Sequence, residues 1–464
     1  MKVPDGIPND VGVIGLNSLS RNVALHLLDQ GFKVTVMDSG ESTADPLQEY
    51  SANAHLSVAT DAFDFLASLR QPRTIFVFGG EDTPFNLVLQ PLLPQLAEGD
   101  LVIDAGISFF SETAKHAAQL AQQGIHFVSL GLAGGQQGTR HGAVVMAGGS
   151  LEALHKAHPW LAALAIPAND KSNVIYFESA AAAHFATMVH ATIEFVLMQL
   201  LTETFVLLQH FLLLTDEELY DPQGSWHIGL LNGYLAEVAG SVAELEKQQT
   251  PWLPMKQGLE PCENNIMARW AIRSGRELGV RIPTIEAAAG IGRVAEMEQQ
   301  TSIWDLAFRR PLGPFVDDPE SVLEGIYEAF QAAMIITYAQ ATALLTAASK
   351  KFGFQFQPHE TLRAWKGCVR LRARLLEDIA SAMQATPDLP GLLSDDDLSE
   401  RVMAGQEKLR HAVWRSCELD LPVPSLMAAL DYLDSCKTAW LPVNLIQVPR
   451  RRTTRPGVRT GQVV

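Results

Sequence analysis

The apolar positions of this chain follow two patterns in turn. In the first third, short apolar runs at 11–14, 74–78 and 101–104 alternate with stretches that have helical spacing. This alternation predicts β-α-β units built around a parallel sheet. The chain then changes to long apolar stretches, the longest of which contains no Gly or Pro, and these predict an all-helical part.

The longest such stretch is 178–214, which predicts a helix of roughly 50 Å. One face carries a polar stripe at i, i+3, i+4 and i+7, formed by Thr187, His190, Ala191 and Glu194. A membrane span is opposed by Glu203, since a carboxylate in mid-span is costly. A core helix with satisfied polar groups and a core helix whose stripe lines a cleft both remain. We favour the helix that lines a cleft.

A second long stretch, 320–351, begins with Glu-Ser like the first and has the same Ala, Ile and Leu character. The likeness indicates an internal helical duplication. The patterns together predict an α/β N-terminal Rossmann-like domain, residues 1–177, followed by a large all-α domain, residues 178–435. Residues 436–464 are assigned to a C-terminal tail that can reach a partner subunit.

The first β-α-β unit carries part of a dinucleotide-binding fingerprint. Gly15 opens the turn, but Asn17 and Ser20 stand where the fingerprint has small residues beside the pyrophosphate and the strand. Asp38 ends the second strand, where an acidic residue accepts from a ribose 2′-hydroxyl and favours NAD over NADP. The alternative is that Asp38 is a solvated turn residue. The unit predicts the fold, while the two substitutions argue against tight cofactor binding.

Composition narrows the class of protein. The 464-residue chain is 47% hydrophobic and 19% charged, with a formal net charge of -17, which argues against nucleic acid and anionic membranes as partners. Four scattered cysteines, without a C-x-x-C pair or His at zinc spacing, predict reduced thiols and no metal site. No apolar run follows Lys2, so we expect no signal peptide and a cytoplasmic location.

Three motifs carry a resemblance to a known family. Residues 131–149, GLAGGQQGTRHGAVVMAGG, are similar to the G-V-S-G-G-E-x-G-A-R-x-G-P-S-L-M-P-G-G signature of decarboxylating 6-phosphogluconate dehydrogenase. Residues 184–195, HFATMVHATIEF, resemble its H-F-V-K-M-V-H-N-G-I-E-Y, and residues 441–447, LPVNLIQ, resemble its L-P-A-N-L-I-Q. The glycines of the first motif indicate loops wrapped around a ligand, or else plain tight turns. Because the motifs follow the family order, the chain is identified as a member of that family.

The resemblance implies NADP-dependent oxidative decarboxylation of 6-phosphogluconate to ribulose 5-phosphate, a step of the pentose phosphate pathway. It implies a general acid at Glu194, a substrate-orienting imidazole at His190, and Thr187 at the position of the family's general-base lysine. Substrate contacts are implied for Gly134, Gly135, Arg293 and Arg450. Cofactor contacts, to NADP or NAD, fall on Gly15, Asn17, Ser20 and Asp38, and no metal is implied.

Several of these positions depart from the family. A Thr187 hydroxyl does not titrate near neutral pH, so loss of the base should slow proton transfer roughly 10²- to 10⁴-fold. Four further family residues, an Asn, a Ser, a Tyr and a nicotinamide-side Asn, are replaced by Ala191, Ala133, Phe195 and Ile107. The cofactor-phosphate motif N-R-T reads DSG at 38–40, and the substrate-phosphate loop K-G-T-G-x-W reads NIMARW at 265–270.

Two hypotheses follow. In the first, the parent activity is lost or severely impaired and the protein is a non-catalytic binding or regulatory homologue. In the second, it is an active, divergent oxidoreductase on 6-phosphogluconate or a related sugar acid, with a preference for NAD. Lys366 or Lys256 then supplies the base.

The assembly is predicted in the same way. Large apolar helices in such a domain usually meet a second copy, so we expect a homodimer, or a heteromer with an active homologue. The arginine-rich tail is either a solvated end or an insertion into the partner subunit, where Arg450 would face a substrate phosphate.

Overall fold

The fold is described from a computed structural model. It describes residues 8–37, 55–168, 171–172, 174–212, 263–295, 318–367, 374–387 and 389–438. Of the predicted site residues, Asp38 and Arg450 lie outside these ranges, as do Lys256 and the motif at 441–447. Arg293 lies within a helix, and only its backbone is described.

A parallel sheet organises the N-terminal part, as the alternating pattern predicts. The strands are β1 Val11–Ile14, β2 Val34–Met37, β3 Leu56–Val58, β4 Thr74–Val77, β5 Leu101–Asp104, β6 His126–Ala133, β7 Val144–Gly149, β8 Pro167–Ala168, β9 Lys171–Ser172 and β10 Val174–Phe177. Eight of them form one sheet in the order β10-β7-β6-β5-β4-β1-β2-β3, and β8 and β9 form a separate antiparallel pair. Within the large sheet, neighbours are parallel except β6 and β7.

Helices cover both faces of this sheet. They are α1 Ser18–Asp29, α2 Ala62–Ala67, α3 Phe85–Leu89, α4 Phe110–Ala121, α5 Gly135–His141 and α6 Leu151–Leu164, with a short 3-10 turn at Leu93–Gln95. Strands β1, β2, β4 and β5 are buried throughout, because apolar clusters lie on both sides of them. The strand order reverses between β1 and β4, and in such sheets the ligand crevice lies outside the carboxyl ends of these strands.

The rest of the described chain is helical. Its helices are α7 Ala180–Leu212, α8 Glu263–Leu278, α9 Pro283–Ala295, α10 Pro319–Phe352, α11 Pro358–Trp365, α12 Arg374–Ala385, α13 Asp396–Glu418 and α14 Pro424–Lys437, with a 3-10 turn at Leu392–Ser394. The stretches 178–214 and 320–351 correspond to α7 and α10, whose apolar residues share one core cluster. The predicted fold class, a Rossmann-like α/β domain followed by a largely helical part, is confirmed.

Two turns of the helical part, one after α8 and one after α13, contain equivalent hydrogen bonds. Where α8 ends, Gly279 has a φ of 70° and Val280 N–H donates to Gly275 O at 2.8 Å. Where α13 ends, Asp420 has a φ of 54° and Leu421 N–H donates to Ser416 O at 2.9 Å. In both places a left-handed residue closes a helix and the chain turns into a helix that begins with Pro. This equivalence supports the predicted duplication.

Each long helix also caps the last helix of the other repeat. Glu203 on α7 accepts from the backbone N–H groups of Ser425 and Leu426, both at 2.9 Å, in the first turn of α14. Gln340 on α10 accepts from Thr284 N–H at 3.1 Å, in the first turn of α9. Both helices need an external acceptor because their N-cap residues, Val423 and Ile282, have no side-chain acceptor.

Two described helices are long and apolar enough to cross a membrane by length and composition. The stretches are 180–208, with a mean hydropathy of 1.6, and 321–352, with a mean hydropathy of 1.3. In the fold, 61% and 78% of the respective apolar windows are buried within the protein, in the cluster that joins α7 and α10. Their apolar character is therefore accounted for by the core, as expected for a helix that passes through a large helical domain.

The glycine-dense segment 131–149 was predicted as ligand-wrapping loops or tight turns with close backbone approach or positive φ. The loop conformation is wrong for most of the segment, positive φ occurs at Gly134, Gly135 and Gly142, and contact with a ligand stays a prediction. Strand β6 continues to Ala133, α5 follows, and β7 returns antiparallel to β6. The glycines let α7 approach the sheet: a Cβ on Gly131 would lie 1.8 Å from Thr187 Oγ1, and one on Gly148 would lie 2.4 Å from Ser179 O. The close backbone approach is real, but at these two positions the approaching partner is a helix of the same chain.

Candidate functional site

The turns at the carboxyl ends of β1, β4 and β5 pack closely against one another. Gly15 has a φ of 86°, and a Cβ there would lie 2.2 Å from Phe78 O. A Cβ on Gly79 would meet Phe85 N at 2.6 Å, and one on Gly106 would meet Gly79 N at 2.3 Å. Only glycine fits at these contacts, which explains the retained first glycine of the fingerprint.

The two substituted fingerprint positions bind each other. Asn17 is the N-cap of α1, and its Oδ1 accepts from Ser20 N–H at 2.9 Å. In return, Ser20 Oγ accepts from Asn17 N–H at 2.7 Å and donates to Asn17 O at 3.0 Å. This is a reciprocal capping box. The box engages the backbone N–H groups of Asn17 and Ser20, at the helix end where a dinucleotide's pyrophosphate would bind. These residues therefore do not fit a pyrophosphate in the manner of the intact fingerprint.

The polar stripe on α7 begins at Thr187, a half-buried residue against the sheet. Its hydroxyl donates to Ala183 O, one turn earlier in the same helix, at 2.8 Å. Its Oγ1 also lies 4.0 Å from the sulfur of Met146 on β7, and its side chain covers Gly131 of β6. Thr187 is therefore a packing residue whose hydrogen is already donated, and it carries no group that titrates near neutral pH.

Two further residues of the stripe, His190 and Glu194, form a buried pair. His190 Nδ1 lies 3.7 Å from Glu194 Oε2, and the two side chains are 2% and 7% exposed. The His190 ring packs edge-on against Trp365 of α11, with 5.2 Å between the ring centres. Trp365 is fully buried, and its Nε1–H donates to Met146 Sδ at 3.3 Å. The imidazole orientation is thus fixed by an indole that sequence reasoning did not identify, because no local pattern joins α11 to β7.

Gly134 and Gly135 lie three and four residues beyond Gly131, at the junction of β6 and α5. Their φ angles are 128° and 61°, so both conformations favour glycine. Since β6 and β1 are separated by two strands, this junction lies roughly 14 Å across the sheet from the turn at Gly15. The polar stripe of Thr187, His190 and Glu194 therefore lies on the helix beside β6. The fingerprint residues lie elsewhere, at the carboxyl end of β1.

The segment that stands at the family's substrate-phosphate loop is helical in this chain. Residues 265–270 lie in the first turns of α8, because Ile266 and Ala268 stand where the family motif has glycines. Arg269, the cation of this segment, pairs with Glu81 of the β4–α3 connection at 3.3 Å. Trp270 packs against Phe109, with 5.4 Å between the ring centres. The departure from the family motif that the sequence shows therefore falls in a helix.

The proposed substitute bases and the remaining cations can be placed only in part. Lys366 lies directly after α11, half-exposed, and its Nζ donates to Glu377 Oε2 at 3.0 Å. It is therefore held in a surface ion pair on α12. Lys256 and Arg450 lie outside the described residues, and no side chain is described for Arg293.

A buried polar cluster beneath the site was also missed from the sequence. The hydroxyl of Thr113 on α4 lies 3.3 Å from Phe109 O and shares a hydrogen bond of 2.7 Å with His184 Nδ1 on α7. Asp104, at the end of β5, accepts from Gly106 N–H at 3.2 Å. Burial raises the pKa of Asp104, against the opposing effect of His184, and burial lowers the pKa of His184. Both groups are therefore favoured in their neutral forms where the nucleotide domain meets α7.

Comparison with known proteins defines the class first. Residues 10–176 match a family model described as the NAD binding domain of 6-phosphogluconate dehydrogenase. Residues 183–451 match the model of the 6-phosphogluconate dehydrogenase C-terminal domain. The fold and the two matches define a dehydrogenase-type chain with a nicotinamide-dinucleotide-binding domain and a helical domain. The chain belongs to the 6-phosphogluconate dehydrogenase family.

Individual relatives agree with that assignment. The chain is 31% identical over 444 residues to the decarboxylating 6-phosphogluconate dehydrogenase of Synechocystis sp., covering 95% of this chain and 92% of the relative. It is 30% identical over 441 residues to the NADP(+)-dependent, decarboxylating enzyme of Bacillus subtilis, covering 95% and 94%. The solved Plasmodium falciparum 6-phosphogluconate dehydrogenase superposes with a TM-score of 0.83 at 22% identity, over 98% of each chain, and shares the fold.

Proposed function

We propose that this protein is a family member in which the parent reaction is lost or severely impaired, and that it acts as a non-catalytic binding or regulatory homologue. The observation that carries the proposal is the state of Thr187. The residue at the general-base position donates its hydrogen to Ala183 O and packs on Gly131. A hydroxyl held in this way cannot accept the proton of a substrate alcohol as an amine does.

The neighbouring contacts support the same proposal. Lys366, one of the two lysines considered as a substitute, is engaged by Glu377 on the surface. Loss of a general base alone is worth roughly 10²- to 10⁴-fold in rate. The replacement of the family Asn by Ala191 adds a loss of substrate positioning.

Cofactor binding is weakened in the proposal as well. The capping box of Asn17 and Ser20 satisfies the start of α1 from within the chain. A pyrophosphate that binds Ser20 N–H would have to displace the Asn17 carboxamide, and the hydrogen bond between these two groups would be lost in doing so. We therefore expect affinity for NADP and NAD far below that of an intact fingerprint, with Asp38 favouring NAD of the two.

The retained pair gives the site a residual binding capacity. Glu194 and His190 are buried side by side, and such groups are costly to keep in a core unless they are satisfied or used. They suit a hydroxylated sugar acid, which offers both donors and acceptors. The same pair is the observation that favours the second candidate, an active oxidoreductase on 6-phosphogluconate or a related sugar acid.

A binding or regulatory role also needs a partner. We propose that the protein pairs through its helical domain with a second copy or with an active homologue in the cytoplasm. Mass photometry of the purified protein, alone and mixed with an active family member, tests this part. A strictly monomeric protein in both samples would contradict it.

Turnover and binding assays separate the two candidates. Purified protein is incubated with 6-phosphogluconate and either NADP or NAD, and each cofactor is titrated calorimetrically to about millimolar concentration, well above ordinary KM values. We expect no turnover at ordinary enzyme rates and no saturable cofactor binding. Turnover within about tenfold of the typical range of 1–10³ per second would refute the proposal.

A lysine variant tests how widely the site has changed. Thr187→Lys restores the amine, and Thr202→Lys, at an exposed position of the same helix, is the matched control. We expect neither variant to gain activity, because cofactor and substrate contacts are also changed. Strong recovery in Thr187→Lys alone would show that the base is the only decisive loss.

A further inference from the structure

His26 lies where the C-terminal ends of three helices meet. It belongs to the last turn of α1 and is 7% exposed. Its Nδ1 lies 2.9 Å from the carbonyl oxygen of Arg140, in the last turn of α5, and its Nε2 lies 2.8 Å from that of Ala163, in the last turn of α6. Both partners are among the final carbonyl groups of a helix, which have no acceptor role inside the helix itself.

The two contacts fix the protonation state that satisfies them. A carbonyl oxygen only accepts hydrogen bonds, and a neutral imidazole donates from one ring nitrogen only. In the neutral form, one nitrogen lone pair would therefore face a carbonyl oxygen at less than 3 Å. With both ring nitrogens protonated, each of them donates a charge-assisted hydrogen bond.

The ends of three helices surround the ring. The C-terminal end of a helix carries partial negative charge, which attracts a cation. The opposing charge is Arg140, whose guanidinium is already paired with Asp29 of α1. The other charged or titratable residues of the three helices are Arg21 on α1, His141 on α5, and Glu152, His155, Lys156 and His158 on α6. His141 is exposed, and those of α6 all precede Pro159, away from the end that contacts His26.

The helix that His26 fastens has little stability of its own. Helix α5 has seven residues, it is bounded by Gly134 and Gly142 at positive φ, and its N-cap has no side-chain hydrogen bond. Helices this short do not persist in water without tertiary contacts. Its position beside Gly134 and Gly135 therefore depends on contacts from outside, and the His26 bridge is one of them.

We propose that His26 is a positioning residue for the glycine-dense segment of the candidate site: as an imidazolium it donates to Arg140 O and Ala163 O and holds α5 against α1 and α6. Deprotonation leaves one of these carbonyl groups without its donor, and α5 then opens more readily. The inference concerns the geometry of the segment and holds whether or not the site turns over a substrate.

Hydrogen exchange of the full-length protein tests the proposal. Peptides that cover 134–142 are followed from about pH 5.5 to about pH 9, with correction for intrinsic exchange, across the range in which imidazole changes charge. We expect wild-type protection to fall about tenfold or more as the pH rises, since a buried carbonyl group then loses its hydrogen-bond donor. A wild-type profile that is flat over this range would overturn the proposal.

Three variants separate charge from packing. His26→Lys keeps donors up to about pH 10 and should give high, pH-independent protection. His26→Gln cannot reach both carbonyl groups and should show low protection at every pH. His141→Gln, on the exposed side of α5, is the matched control and should behave like wild type. Equal loss of protection in the Lys and Gln variants would show a role in packing alone and overturn the proposal.

A direct measurement covers the case in which a variant fails to fold. In wild-type protein labelled at histidine, the His26 ring should show two protected N–H protons at about pH 6, because both nitrogens are buried and engaged. A single ring N–H at that pH would overturn the proposal without any substitution.

Discussion

Removal of the Glu203 carboxylate should lower the free energy of unfolding of the helical domain more than a substitution at a neighbouring exposed residue does. This side chain is 2% exposed and receives three hydrogen bonds, from Gln199 Nε2 at 3.0 Å and from the N–H groups of Ser425 and Leu426, both at 2.9 Å. It joins α7 to α14 across 222 positions of the chain. The perturbation we propose is Glu203→Ala, compared with Glu203→Gln.

The magnitude follows from the donors that lose their acceptor. In Glu203→Ala, the N–H groups of Ser425 and Leu426 are left buried and unsatisfied at about 1–3 kcal/mol each. Part of this cost is offset because the Ala variant no longer has to bury a carboxylate. We therefore expect the free energy of unfolding to fall by about 3 kcal/mol. Glu203→Gln retains one acceptor oxygen and places an NH2 group against one backbone donor, and should cost about 1–2 kcal/mol.

The pH dependence has a definite sign. Burial raises the pKa of Glu203, against the hydrogen bonds from Gln199, Leu426 and Ser425. The folded protein therefore binds this proton more tightly than the unfolded chain, and the stabilising contribution, full below the unfolded-state pKa, is lost as the pH rises through the folded-state pKa. Because Glu203→Gln has no such proton, its deficit relative to wild type should shrink as the pH rises over that window.

Urea unfolding followed by far-ultraviolet circular dichroism measures these differences. Thr202→Ala, an exposed neighbour on α7, is the control and should lie within about 0.5 kcal/mol of wild type. The reasoning would be refuted if Glu203→Ala were no less stable than the control, or if Glu203→Gln were less stable than Glu203→Ala.

Three further predictions concern the packing around the site. Gln340→Ala removes the acceptor of Thr284 N–H and should lower the free energy of unfolding in urea by about 2 kcal/mol. An unchanged midpoint would contradict the role of Gln340 as the cap of α9. Gly131→Ala should cost about 1–3 kcal/mol, since its Cβ would lie 1.8 Å from Thr187 Oγ1, and a Thr187→Ala background should recover at least half of that loss. Because burial raises the pKa of Asp104, wild type should lose stability as the pH rises through that folded-state pKa, and Asp104→Asn should gain relative to it; parallel pH profiles for the two proteins would show otherwise.

Sequence periodicity predicts the architecture because the architecture follows from local patterns. The apolar runs at 11–14 and 101–104 are strands, and the stretches 178–214 and 320–351 are the long helices α7 and α10. The stretch 178–214 lacks Gly and Pro, 320–351 contains only Gly325, and the strands alternate with turns, so the local preference and the fold agree.

The errors occur where a glycine has a partner far away in the chain. The segment 131–149 was predicted as loops because its glycines have no local explanation, and their partners, Thr187 and Ser179, lie on α7. The segment 265–270 departs from the family's loop motif, and it is helical because Ile266 and Ala268 replace the family's glycines. The capping box was within reach, since Asn followed three residues later by Ser at a helix start is a recognisable N-cap pattern. The contacts of His26, Asp104 and Trp365 join distant elements, and no sequence spacing indicates them.

The substituted positions share one physical property that bears on the proposed function. Thr187 donates to its own helix, and Asn17 and Ser20 cap each other. In a working site, groups at such positions are held ready for a ligand and are satisfied only when it binds. Here they are satisfied within the chain, which stabilises the protein without a ligand and weakens any ligand that must displace them. This pattern supports a protein that keeps the family fold for binding a partner or a regulatory ligand, and it explains why restoring one lysine should not restore the reaction.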